Sequence, residues 1–345
     1  FFFKQKTAYE IRNCDWSSDV CSSDLSAAVN VTGVVSLREG TLQTQPGTLT
    51  LISNSTGSSS VGPITSGASI SGNVILQRWI PSIPNVQGYW VNLGCPIQGQ
   101  TLAAWNDDIV TTGFPGSDYP SYPFNNISYY DETLSGTMNT GWVSATNITN
   151  AIQTNRGYFV WLNGSQQNID NTGTIQSGNI THALNYTVTS PGGIFDYGWN
   201  LMTNPYPSEV DWNLVSSSLT GPKVYYVYDY QTSSYKYRNA TTNTGTASRY
   251  IPHSQSFLVK VNATGQSLQF QESYKTNVGT AFERSGDDQN AFMSLQIAGN
   301  GTSDEGIVLF DSAALSVYDE KDALDLPSPI ETAVQFSFVS ADNAS

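Results

Sequence analysis

The sequence is poor in charge, in histidine and in cysteine. Only 12% of its 345 residues are Asp, Glu, Lys or Arg, about half of the usual ~25% share, and it holds two histidines and three cysteines. The formal net charge is −14, which argues against a nucleic-acid or anionic-membrane partner. No apolar run reaches the roughly 18 residues needed for a membrane-spanning helix. We therefore expect no nucleic-acid binding and no membrane insertion.

The familiar catalytic motifs are also missing. There is no G-x-S-x-G elbow, no H-E-x-x-H pair, no Walker loop and no Rossmann glycine pattern. His182 lies in a Thr/Asn-rich strand and His253 follows a proline at the start of a strand, and no spacing links either to a nucleophile. The sequence therefore predicts a non-catalytic protein.

Small polar and aromatic residues take the place of charge. Apolar residues make up 39% of the chain and aromatic residues 12%, which is ample for packed cores. Ser, Thr, Asn and Gly fill much of the remainder, a composition typical of secreted β proteins. No helical 3.6-residue period is visible, so we predict an all-β fold.

Residues 1–25 differ from the rest of the chain. The stretch DWSSDVCSSDL (Asp15–Leu25) resembles a translated sequencing adapter, and KQKTAYEI (Lys4–Ile11) resembles its outer primer in the same frame. We interpret 1–25 as adapter-derived and expect it to pack against nothing. The spacing of Cys14 and Cys21 then carries no disulfide or metal site.

Residues 26–83 form short apolar runs broken by glycines every five to ten residues. Such runs are typical of solenoid coils or of a β meander. Both alternatives stay open at this point.

Three landmarks then recur in the same order, about 100 residues apart. They are GYWVNLGCP (88–96) and GWNLMTNP (198–205), ISYYDE (127–132) and VYYVYD (224–229), and RGYFVWLNGS (156–165) and SQSFLVKVNATG (254–265). This duplication predicts two related β-sandwich-like units at 84–190 and 191–275. A short helix is predicted over 145–154. Residues 276–345 are predicted to begin a third β unit that the chain truncates.

The order of these pieces resembles a group of secreted and cell-surface proteins of Bacteroidota that carry a type IX secretion C-terminal sorting domain. The matching stretches are SGNVILQRWIP (71–81), LAAWNDDIVTTGFPGSDYPSYPFNNISYYDE (102–132), GYFVWL (157–162), WNLMTNPYPSEVDW (199–212) and DEGIVLF (304–310). The resemblance implies an extracellular or cell-surface location. It brings no reaction and no catalytic residues.

The abundant aromatic residues are the first candidates for a binding site. Trp90, Trp199 and Trp212 recur within the duplicated blocks, so we expect them in the cores. The residues expected at the surface, where they could stack on sugar rings, are Tyr119, Tyr122, Trp142 and Trp161.

A second candidate lies in the long loop between Leu102 and Asp131. Its acids Asp107, Asp108 and Asp118 flank Gly-Pro turns, and carboxylates with loop carbonyls are ligands that calcium prefers. We expect no cofactor unless these acids hold calcium. The alternative is that these acids are ordinary solvated side chains.

These patterns favour a non-catalytic, structural or adhesive β protein on a bacterial surface. Its expected partners are surface polysaccharides or other cell-surface proteins. One alternative is a carbohydrate-binding module of a larger secreted enzyme. Another is a hydrolase that uses carboxylates in the 107–131 loop.

Overall fold

The computed structural model describes residues 8–10, 22–25, 27–83, 86–188, 193, 195–277, 292–309, 315, 317–330 and 332–339. Strands make up 41% of the chain and helices 6%. The predicted all-β fold class is confirmed. Cys14 and Cys21 lie outside the described residues.

The N-terminal part is a solenoid of short parallel strands. Its strands are β1 (Ala8–Glu10), β2 (Ser22–Leu25), β3 (Val29–Val31), β4 (Val34–Ser36), β5 (Gly40–Thr44), β6 (Leu49–Leu51), β7 (Ser53–Asn54), β8 (Gly57–Ser58), β9 (Ser60–Val61), β10 (Ala68–Ser71) and β11 (Val74–Ile80). Three parallel ladders run β1-β4-β9, β2-β5-β10 and β3-β6-β11. Parallel pairing of successive coils distinguishes a solenoid from a meander.

The expectation that residues 1–25 pack against nothing is wrong for the two segments that the structure describes. Strand β1 pairs with β4, and β2 pairs with β5, both in parallel. Leu25 packs against the adjoining hydrophobic core. The physical reason is that the first coil of a solenoid exposes unpaired backbone N–H and C=O groups. A preceding extended segment can form hydrogen bonds with these groups regardless of its own side chains.

The interior of the solenoid is filled by alternate strand residues. Along β11, the side chains of Val74, Leu76, Arg78 and Ile80 are buried while those between them are half-buried. Three of these four are apolar, as expected for the inner face of a strand. Arg78 is the exception, and its surroundings are described below.

The first β unit contributes α1 (Ala103–Asn106) and six strands. The strands are β12 (Gly88–Leu93), β13 (Ile127–Tyr130), β14 (Trp142–Ser144), β15 (Tyr158–Asn163), β16 (Gln167–Gly173) and β17 (Ile180–Ala183). A short 3₁₀ helix spans Met138–Gly141. Four of the strands form one antiparallel sheet in the order β12-β15-β13-β14. Strand β16 instead pairs with β11 and closes the end of the solenoid.

The second β unit contributes eight strands and α2 (Trp212–Val215). The strands are β18 (Trp199–Thr203), β19 (Glu209–Asp211), β20 (Val224–Asp229), β21 (Ser234–Asn239), β22 (Tyr250–Ile251), β23 (Ser256–Lys260), β24 (Ser267–Phe270) and β25 (Lys275–Thr276). Two 3₁₀ helices span Ser216–Ser218 and Glu272–Tyr274. The main sheet has the order β18-β23-β20-β21. A hairpin of β26 (Phe292–Gly299) and β27 (Thr302–Leu309) follows.

The two main sheets share one topology. When the four strands of each sheet are numbered along the chain, their order across the sheet is first, fourth, second, third. The predicted boundary at 190/191 does not separate all the pairings, because β17 of the first unit pairs with β24 of the second.

The pairing registers show which residues correspond. Trp90 pairs with Trp161 in the first sheet, and Trp199 occupies the same place in the second. The first strands align without a gap from this tryptophan to the following proline. The predicted match of Gly88 with Gly198 is therefore wrong by one residue, because the hydrogen-bonded register, and not the shared glycine, sets the correspondence.

The same correspondence places Asp131 on Asp229, at the C-terminal end of the second strand of each sheet. The Oδ1 atom of Asp131 accepts a hydrogen bond from the Thr133 N–H, and that of Asp229 accepts one from the Gln231 N–H. Both acids thus close the same kind of Asx turn. They are structural in both units.

The two units meet through corresponding residues. A β-carbon placed on Gly94 would collide with the side chain of Thr203, its counterpart in the second unit. Similarly, one placed on Gly157 would collide with the side chain of Ser256, again its counterpart. Contacts between like positions are expected at a two-fold axis. The duplication therefore packs as a pseudo-two-fold pair.

The helix predicted over 145–154 is absent, and this described segment forms a turn. The Oδ1 atom of Asn150 accepts hydrogen bonds from the backbone N–H groups of Thr146 and Asn147. Asn147 Oδ1 in turn accepts one from the Thr149 N–H. Such side-chain bonds to the backbone compete with helix formation.

A C-terminal segment, 318–326, covers the outer face of the second sheet. Leu324 and Leu326 are buried there against Trp199 and Tyr226. The Leu324 N–H donates to the Tyr226 hydroxyl at 2.8 Å. We refer to residues 318–326 as the covering segment.

Trp90 is not in a core, contrary to the prediction, whereas Trp199 and Trp212 are buried. Strand alternation directs both Trp90 and Trp199 to the outer face of their sheets, opposite the apolar core. Trp199 is buried because the covering segment lies over it.

This difference predicts unequal costs for two equivalent truncations. Trp199→Ala should lower the free energy of unfolding by about 3–5 kcal/mol, as for other buried aromatic truncations. Trp90→Ala, at the matching position, should cost only ~1–2 kcal/mol, because less apolar area is removed from contact. Urea denaturation of both variants measures the difference. Equal losses would contradict the assignment.

Candidate ligand-binding surface

The outer face of the first sheet carries a cluster of aromatic side chains. Trp90 and Trp161 lie directly opposite each other on β12 and β15, and both are half-buried. Phe159 lies two residues before Trp161 on the same face, and Phe124 joins them from the loop that precedes β13. We call Trp90, Phe124, Phe159 and Trp161 the aromatic platform.

The rings of the platform pack against one another. Trp90 stacks on Phe159 with ring centroids 4.6 Å apart and an interplanar angle of 5°. Trp161 meets Trp90 edge-on at 5.4 Å and Phe124 edge-on at 6.0 Å. Phe159 is only 5% exposed, while Phe124 is 38% exposed. The cluster is therefore a rigid support with its outer rings accessible.

The indole N–H groups of Trp90 and Trp161 differ from those of Trp199 and Trp212. In Trp199 the N–H donates to the Phe195 carbonyl, and in Trp212 to the Lys223 carbonyl. Within the described residues, the indole N–H groups of Trp90 and Trp161 donate to no protein acceptor. They remain available to solvent or to a ligand.

The long loop before β13 is tied to the platform by Asn126, which is buried. Its Nδ2 donates to the carbonyls of Val110 and Trp161 at 2.8 and 3.1 Å, and its Oδ1 accepts from the Thr112 N–H. The side chain therefore joins the loop to β15. Buried Phe114 anchors the loop from inside.

The sequence-predicted aromatic residues fall into three places. Trp161 belongs to the platform. Tyr119 and Tyr122 project from the loop, 59% and 56% exposed. Trp142 lies half-buried on β14 at the edge of the platform; its ring centroid is 5.5 Å from that of Phe159, and it meets Tyr130 edge-on at 5.2 Å. The sequence analysis did not identify Trp90, Phe124 and Phe159 as part of this surface. Alternate residues of a strand lie on the same face of a sheet, and this rule applied to β12 and β15 would have placed Trp90 and Phe159 beside Trp161.

The three acids predicted to hold calcium have different surroundings. Asp118 Oδ2 accepts a hydrogen bond from the Thr111 N–H at 2.9 Å and braces the loop. Asp107 is exposed. Asp108 Oδ2 accepts a hydrogen bond from the Asp170 N–H at 2.7 Å. In the part of the chain that the structure describes, no group of three or more His, Cys, Asp or Glu residues could hold a metal ion.

Asp170, on β16, is an acid that sequence reasoning missed. Burial raises the pKa of Asp108 to about 6, and the charges of Asp170 and Asp107 add to this effect. Burial and then Asp107 also raise the pKa of Asp170. Asp108 and Asp170 therefore ionise less readily than ordinary aspartates.

Both histidines are buried away from the platform. Burial lowers the pKa of His182 to about 4, and its ring packs against Phe270. His253 is 3% exposed, and its Nδ1 lies 3.1 Å from the hydroxyl of Ser254, which is itself buried.

No protein-family model, no curated protein and no solved structure matched the chain. Among the residues described, no helix has the length and apolar character needed to cross a membrane.

The raised pKa of Asp108 makes a prediction about pH and stability. Because the pKa of Asp108 is higher in the folded state than its ordinary value of 3.8, its contribution to stability is present below about pH 4 and is lost as the pH rises through 6. Asp108→Asn should therefore raise the melting temperature at pH 7.5, and the gain should shrink towards zero at pH 4. Thermal melts at both pH values test this. A gain that is the same at both would show that Asp108 titrates normally.

Proposed function

We propose that this chain is a non-catalytic, extracellular adhesive protein of a bacterial surface that binds polysaccharide on the aromatic platform. The observation that carries the proposal is an asymmetry between the two units. The outer face of the second sheet is covered by the chain itself, whereas the platform on the equivalent face of the first sheet has accessible rings.

The chemistry of the platform suits sugar rings. The C–H faces of a sugar pack on flat aromatic rings. Tryptophan combines such a ring with one hydrogen-bond donor, and it is therefore enriched at binding interfaces that contact both apolar groups and water. The indole N–H groups of Trp90 and Trp161 can donate to sugar hydroxyls while the rings make apolar contact. An exposed aromatic patch on a rigid sheet is a common mark of a binding site.

The location rests on other grounds. The low charge, the abundance of Ser, Thr, Asn and Gly, and the resemblance to Bacteroidota surface proteins support an extracellular setting.

Affinity electrophoresis against a panel of soluble polysaccharides, with pull-down on insoluble ones, tests the proposal. Wild type should bind at least one polysaccharide, and Trp90→Ala or Trp161→Ala should weaken this binding by at least about tenfold, as for aromatic anchors at other interfaces.

The matched control is Trp79→Ala, which removes a half-buried tryptophan from β11 in the solenoid. This variant should bind like wild type. Failure of wild type to bind any polysaccharide would overturn the proposal, as would equal losses in all three variants.

The raised pKa of Asp108 favours a second candidate, a hydrolase. A carboxyl group with a pKa of about 6, as in Asp108, is suited to act as a general acid near neutral pH. Incubation of wild type with the same polysaccharides should then release reducing ends, and Asp108→Asn should abolish the release. Absence of turnover in wild type rejects this candidate and leaves the adhesive role intact.

A further inference from the structure

A cavity of about 450 Å³ lies at the junction of the solenoid and the second β unit. On the solenoid side its wall includes Asn54, Thr56 and Ser58 of the β7–β8 hairpin, and on the other side Glu209 and His253. The volume falls within the ~300–1,000 Å³ of typical ligand pockets. We call this space the junction cavity.

Arg78 brings a buried positive charge to its wall. The side chain is 3% exposed; Nη2 donates to the His253 carbonyl at 2.6 Å, and Nη1 donates to the Ser58 hydroxyl at 3.1 Å. Burial lowers its pKa to about 9, while the negative charge of Glu209 acts in the opposite direction. Glu209 is also buried, 6% exposed. Buried charges of opposite sign therefore line the cavity together.

His253 supplies the second observation. The Nε2 atom of this buried ring has no hydrogen-bond partner among the described residues. Burial and the charge of Arg78 hold the pKa of the ring well below its ordinary value, so the ring is neutral. Buried polar atoms are normally satisfied by protein, water or a ligand. His253 lines the cavity, so one residue of its wall carries a polar atom that the described protein does not satisfy.

We propose that the junction cavity binds a single neutral sugar residue. The opposite charges of Arg78 and Glu209 cancel, which disfavours simple anions and cations. Among the described lining residues there is no Phe, Tyr or Trp, which disfavours a flat aromatic ligand. The wall is instead rich in hydroxyl, amide and backbone groups, and these match a ligand that both donates and accepts many hydrogen bonds.

This site is separate from the aromatic platform, which lies on the first unit. A sugar hydroxyl can accept from the Arg78 guanidinium, and another can donate to the Glu209 carboxylate. The proposal therefore stands whether or not polysaccharide binds to the platform.

Isothermal titration of the full chain tests the class of ligand. The probes are D-glucose, D-galactose, D-mannose and N-acetyl-D-glucosamine, with glycine and inorganic phosphate as ionic probes. At least one neutral sugar should bind, and neither ionic probe should. Binding of phosphate or glycine in preference to the sugars would overturn the proposal, as would the absence of binding by every sugar.

Two variants then locate the binding. His253→Phe replaces a wall residue with a larger ring that has no polar atoms, and should weaken sugar binding about tenfold. Thr56→Trp obstructs the mouth from an exposed hairpin position and keeps the test informative if His253→Phe does not fold. Ser55→Trp, at the exposed neighbouring position that does not line the cavity, is the control and should bind normally.

Trp161→Ala separates the two sites. Sugar binding that survives in Trp161→Ala and is lost in Thr56→Trp places the sugar in the junction cavity. Binding that is lost in Trp161→Ala but unchanged in both cavity variants overturns the inference and leaves the platform as the sugar site.

Discussion

The two β units approach each other closely at Gly94 and Gly157. This contact fixes how the two main sheets are oriented and therefore where their outer faces lie. A side chain on either glycine would collide with its counterpart, Thr203 or Ser256. Because protein interiors are close-packed, a collision of this kind has to move a whole strand. With both glycines in place, the two main sheets meet about a pseudo-two-fold axis and their outer faces are equivalent by symmetry.

The symmetric positions carry different chemistry. Glu132 accepts a hydrogen bond from the Gly198 N–H, and at the equivalent contact Tyr230 packs against Tyr89 with ring centroids 4.9 Å apart. The same divergence governs the outer faces. The outer face of the second sheet is buried under the covering segment, whereas the outer face of the first sheet carries accessible aromatic rings. Duplication thus supplies one face that stabilises the protein and one that is available for binding.

The all-β class and the duplicated blocks were predictable because strand-forming residues, turn glycines and repeated landmarks are local in sequence. The partial exposure of Trp90 was not predictable. Trp90 and Trp199 lie at equivalent positions, and the segment that covers Trp199 lies more than 100 residues further along the chain. Asp170 was missed for a similar reason: β16 leaves its own unit to pair with β11. The turn at 145–154 depends on side-chain hydrogen bonds of Asn147 and Asn150 that composition alone does not distinguish from helix caps.

We propose that Trp90 and Trp161 contact the ligand, whereas Trp199 and Trp212 are structural. The most direct test is a ¹⁵N–¹H spectrum of the indole N–H signals during titration with hexasaccharides of the cellulose, xylan and β-1,3-glucan series. The account predicts that one series shifts the signals of Trp90 and Trp161 while those of Trp199 and Trp212 stay in place. Shifts confined to Trp199 and Trp212, or no shift with any series, would contradict it.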